Sequence, residues 1–134
     1  MVEVVNRQRR VKVDPEAWTT FAEKALDAIG NRGSSATIAF VSNTSIRKLN
    51  QQFRGVDKPT DVLSFPADEP DNLGDVAISV ETAAKQAKEN GLSLNHEIAQ
   101  LILHGLLHLS GYDHETDNGE MNRFELKLRR KLKI

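Results

Sequence analysis

The chain has 134 residues, 39% of them hydrophobic and 28% charged, a net charge of −1 and no cysteine. That length and balance fit one globular domain around one core. They exclude disulfides and thiolate ligands, and no apolar run approaches the ~20 residues of a membrane span. The short, acidic amino terminus lacks the layout of a signal peptide, so a cytoplasmic location is expected. Charge is unevenly spread: net +4 over residues 1–54, −10 over 55–120 and +5 over 121–134. Basic ends that met in space would present a surface to a polyanion. On charge alone, solvated helix faces account for the pattern better.

Residues 2–5 are a short β-branched run, read as an edge strand. Asp14-Pro15-Glu16 is a helix start: an N-cap, proline at the first helical position, then an acid. Trp18, Phe21, Ala22, Ala25, Leu26 and Ile29 follow at helical spacing until Gly30, and the aromatic rings are assigned to the core. Residues 36–41 read as a buried strand, and Ser42 or Asn43 caps a short helix through residue 53. Residues 54–61 form a polar loop. Residues 62–65 make a compact strand stopped by Pro66, and 67–73, rich in Asp and Pro, form a surface loop. Residues 75–80 alternate as a strand, and Ser79 caps a helix over 81–90 that Gly91 closes. Ser93 or Asn95 opens the next helix. Asn118 opens the last, through residue 133, amphipathic through Phe124, Leu128 and Leu132. The order β-α-β-α-β-β-α-α-α predicts an α/β (α+β) fold over 1–134. This is a single small domain with a mixed sheet of about four short strands, packed with five or so helices.

Three of the four histidines fall in His104-Gly-Leu-Leu-His108-Leu-Ser-Gly111-Tyr112-Asp113-His114. Spacing of i, i+4 puts His104 and His108 on one helix face. Gly111 can adopt the left-handed conformation that ends the helix, and the chain then turns His114 back toward the first two. Two imidazoles on an otherwise core-like helix cost roughly 1–3 kcal/mol each without partners. A shared cation satisfies both. Three neutral imidazoles suit one zinc ion, although nickel and cobalt accept the same donors, and three ligands leave a position open for catalysis. His96 has no partner at ligand spacing and reads as structural or exposed.

An open metal site makes hydrolysis the default chemistry. The spacing H-x-x-x-H-x-x-G-x-x-H is that of the metzincin proteases, yet Gly105 stands where their glutamate base would be. That argues against ordinary peptide hydrolysis and opens space beside the metal. Asp113 and Glu115 flank His114 as possible orienting groups. Glu97, seven residues before His104, reads as too distant to act. Met121 reads as a core residue rather than a metzincin-like methionine. A phosphodiester depends mainly on charge stabilisation at phosphoryl oxygens, and Arg54, in a polar loop beside Gly55, can supply a bidentate contact.

The chain resembles the YbeY family of bacterial endoribonucleases. The histidine segment matches that family's H-G-x-L-H-L-x-G-Y-D-H in full. Thr60-Asp61-Val62-Leu63-Ser64-Phe65-Pro66 matches its T-D-V-L-S-F-P, and Leu49-Asn50-Gln-Gln-Phe53-Arg54 matches the segment bearing its functional arginine. The block from Leu73 to Ser79 is a weaker likeness. The resemblance implies a single metal-dependent endoribonuclease domain that cuts single-stranded RNA. It implies action in ribosomal RNA maturation at the 3′ end of the small-subunit RNA, and in ribosome quality control. It implies one Zn2+ at His104, His108 and His114, with Arg54 and His114 in catalysis. Partners would be ribosomal RNA and the ribosome or its proteins, with no membrane or DNA. Two alternatives stay open: a metalloprotease-like hydrolase of another substrate, and a ribosome-associated protein with a structural metal.

Overall fold

A computed structural model describes residues 1–112 and 118–134 of the chain. The elements are β1 (Val2–Asn6), α1 (Pro15–Ile29), β2 (Ser35–Val41), α2 (Asn43–Arg54), β3 (Val62–Glu69), β4 (Asn72–Ser79), α3 (Val80–Asn90), α4 (Leu94–Leu109) and α5 (Glu120–Leu132). Their order is the one the sequence predicts. Side-chain caps fix the helix starts. Asp14, Ser42, Ser79 and Ser93 accept hydrogen bonds from backbone N–H groups two or three residues on. Each such cap contributes about 1 kcal/mol.

The four strands form one mixed sheet in the order β1-β2-β4-β3. β1 runs parallel to β2 and β2 parallel to β4, whereas β3 runs antiparallel to β4. Two sequence expectations need correction here. Pro66 does not stop its strand, and residues 67–73 are not a free loop. β3 continues to Glu69 and returns through a tight turn at Pro70 and Asp71 into β4. β3 is an edge strand with a register shift between Pro66 and Glu69, where a missing N–H costs the ladder little. Pro70 precedes Asp71, whose φ of 63° gives the positive second position that type II turns use. The third correction concerns α5, whose N-cap is Gly119 rather than Asn118, with no side-chain cap.

Alternation along the strands sends Ala36, Ile38, Phe40, Val76 and Ile78 to one face. There they meet Ala22 and Leu26 of α1, Ala83 of α3, Ile102 and Leu106 of α4 and Leu128 of α5 in the main core. The opposite face carries Val41, Leu63 and Ala77, covered by Ile46 of α2 in a smaller cluster. α4 is the central helix. Ile98, Ile102, Leu103, Leu106 and Leu107 are fully buried, and among the described residues no other helix is so apolar around its circumference. Trp18 and Phe21 meet each other edge to face and pack, half-buried, against the core, as expected.

Candidate metal centre

Because α4 is buried nearly all round, its polar residues beyond Asn95 and His96 of the first turn are confined to one narrow stripe. Glu97, Gln100, His104 and His108 follow one another at intervals of three or four residues. Both histidines are half-buried. Their Nε2 atoms lie 3.1 Å apart, with ring centroids separated by 4.6 Å. Two nitrogens on one tetrahedral zinc, each ~2.0–2.1 Å from it, lie roughly 3.4 Å apart. The pair therefore fits a shared divalent cation. Among the described residues no group of three His, Asp or Glu side chains surrounds one point. The third predicted ligand, His114, lies outside the described residues, as do Asp113 and Glu115.

The ring of His104 is held from behind. Its Nδ1 lies 2.9 Å from Oε1 of Glu125, on α5. Glu125 is 4% exposed, and its other oxygen accepts a hydrogen bond from Arg129 at 2.8 Å. Burial raises the pKa of this carboxyl, but the hydrogen bonds and charge of His104 and Arg129 outweigh burial and leave it below the ordinary value. A carboxylate only accepts hydrogen bonds, so Nδ1 of His104 carries a proton, and in the neutral ring the lone pair is then on Nε2. That lone pair faces His108. The arrangement is the one in which a carboxylate orients a metal-binding imidazole.

A polar cavity of about 360 Å³ opens beside Glu125, lined also by Asp61, Glu97, Gln100, His104 and Arg129. Asp61 and Glu97 approach each other there. With its amide nitrogen turned to the acids, Gln86 donates to Asp61 Oδ2 at 3.2 Å and to Glu97 Oε1 at 3.1 Å. Burial, and then the negative charge of Asp61, raise the pKa of Glu97. Glu97, set aside by sequence spacing, thus shares a cavity with His104, although the helical rise separates the two by about 10 Å along α4.

Gly105 does not open space beside the metal, as its position suggested. It faces the sheet: a β-carbon there would lie 2.7 Å from Cγ1 of Val76. Ser64 of β3 donates to the Gly105 carbonyl at 3.3 Å, which ties the strand motif to the histidine helix. The helix ends as expected, with Gly111 at a φ of 99°. Met121 is fully buried in the core. Arg54 lies exposed at the last turn of α2, on a different element from the histidines, and forms no hydrogen bond or ion pair among the described residues. The structure thus brings His104 and His108 together and adds Glu125, which the sequence analysis missed. Its signal was there: a carboxylate between Met121 and Leu128 interrupts the apolar stripe of α5 at helical spacing.

A family model described as Endoribonuclease YbeY matches residues 3–133. Similar proteins carry that name in Koribacter versatilis (44% identical over 131 residues, 98% of this chain and 86% of that one) and Aquifex aeolicus (45% over 123 residues, 88% and 80%). Another, from Geobacter sulfurreducens, is 38% identical over 136 residues, covering 96% of this chain and 91% of its own. The fold is shared with the solution structure of TM1509 from Thermotoga maritima. That match has a TM-score of 0.71 at 29% identity, over 98% of this chain and 89% of that one. The chain belongs to the Endoribonuclease YbeY family of hydrolytic nucleases.

Proposed function

We propose that this protein is a zinc-dependent endoribonuclease that cuts single-stranded RNA. Its setting would be the cytoplasm, where it matures the 3′ end of the small-subunit ribosomal RNA and takes part in ribosome quality control, in contact with ribosomal proteins. The observation that carries the chemistry is the pair of converging Nε2 atoms on α4, backed by a buried carboxylate. His104, His108 and His114 would hold one ion. When bound, zinc supplies Lewis acidity and a water activated near neutral pH. Glu125 keeps the proton of His104 on Nδ1, which puts the lone pair of the neutral ring on Nε2, the atom that would face the ion. Arg54 pairs with phosphodiester oxygens and neutralises charge that builds on them.

The test is a nuclease assay on purified, contaminant-free protein with a single-stranded RNA. Wild type is assayed beside His108→Ala, with metal content measured on both. The variant should lose zinc and cleavage together while its circular dichroism stays native. A His108→Ala protein that lacks metal yet cuts at the wild-type rate would end the proposal and leave the metal, at most, a structural role.

A further inference from the structure

We infer that Glu125 is a positioning residue for the metal-binding imidazole of His104, and that α5 is therefore part of the metal centre rather than only a cover for the core. The inference rests on the proposed cation at His104 and His108. Both oxygens of Glu125 are already committed, one to His104 and the other to Arg129. Oε1 meets the ring at Nδ1, whereas the cation position is marked by Nε2 on the other side of the ring, so the carboxylate acts through the ring it holds.

Stapling α5 to itself does not explain this placement. An i, i+4 pair of Glu and Arg works at the surface and needs no burial. Here the side chain of Glu125 is only 6% exposed, and Oε1 points at a ring nitrogen on another helix. Burying a charge is unfavourable unless its partners are fixed. Arg129 and His104 supply those partners, and in return the ring of His104 is locked in one tautomer and one orientation. Just past the end of α5, the Ile134 backbone oxygen accepts from Gln100 Nε2 at 3.0 Å, a further tie between α4 and this part of the chain.

The experiment measures equilibrium zinc affinity by competition with a chromophoric chelator. It compares wild type, Glu125→Ala, Glu125→Gln, Arg129→Ala and His108→Ala, each checked for native circular dichroism without metal. Loss of an orienting carboxylate weakens metal binding about 10- to 100-fold. Glu125→Ala should show that loss. Glu125→Gln should recover part of it, because its amide oxygen still accepts from Nδ1–H. Arg129→Ala should fall between the two. Long-range 1H–15N spectra of the metal-free protein give a second readout: His104 should be the Nδ1–H tautomer in wild type and a mixture in Glu125→Ala.

A folded Glu125→Ala that binds zinc within twofold of wild type overturns the inference and leaves the metal reading intact. If Glu125→Ala does not fold, the wild-type tautomer and Glu125→Gln decide: an Nε2–H ring in wild type overturns it. A wild type that binds zinc no better than His108→Ala overturns both.

Discussion

A β-carbon placed on Gly105 would lie 2.7 Å from Cγ1 of Val76 and 3.1 Å from its Cγ2. At this residue, between His104 and His108, α4 presses closely on β4. Gly105→Ala should lower stability by about 1–2 kcal/mol. Overpacking costs ~1–3 kcal/mol, and the better helix preference of alanine returns up to about 1 kcal/mol. Urea denaturation measures it. Adding Val76→Ala should relieve the clash, so the double variant loses less than the sum of the two single changes. A Gly105→Ala protein as stable as wild type would show that the helix can lift from the sheet at no cost.

Glu97 predicts a pH effect of defined sign. Burial beside Asp61 raises its pKa above the ordinary 4.5, so the folded state holds this proton more tightly than the unfolded chain does. Folding then binds protons, and the contribution of Glu97 becomes less favourable as pH rises from about 4.5 through the raised value. Glu97→Gln keeps an acceptor for Gln86 and removes the charge. Its thermal midpoint should exceed that of wild type at pH 7, with the gap closing as pH falls toward 4. A gap that stays constant across this range would assign the effect to packing instead.

Arg54 stands apart from the histidines, at the exposed end of α2. Arg54→Ala should lower RNA cleavage about 10- to 100-fold, the worth of one charge-assisted contact to phosphate. Zinc content and melting temperature should not change. The slope of log affinity against log salt should fall by about 1 in the same variant, as one phosphate contact is lost. Cleavage and salt slope both equal to wild type would remove Arg54 from the substrate path.

Much of this molecule is legible in its residues. The caps at Asp14, Ser42, Ser79 and Ser93 and the spacing of apolar side chains set the order of elements, because these are local interactions. The i, i+4 histidines are local too, since one helix turn brings them together. Glu125 was not legible in the same way, because its partnership with His104 spans 21 residues and depends on how α5 docks against α4. Asp61 and Glu97 come near each other only because the residue before β3 and the first turn of α4 border the same cavity. Gly105 was misread for the opposite reason. Its spacing relative to the histidines invited comparison with a protease motif, whereas its side of the helix is decided by the sheet beneath it. Pro66 misled because proline usually ends a strand, and only its place at an irregular edge makes it tolerable.

That edge has a consequence for the protein in a crowded solution. A sheet of four strands has two borders where a foreign chain could add itself by backbone pairing. On one, β3 carries a residue that cannot donate, a break in its ladder register, and the acids Asp68 and Glu69. On the other, β1 is only five residues long and is followed by the exposed cations Arg7, Arg9 and Arg10. Neither border offers a long, regular template, so the fold is guarded against fibril-like self-assembly at both margins.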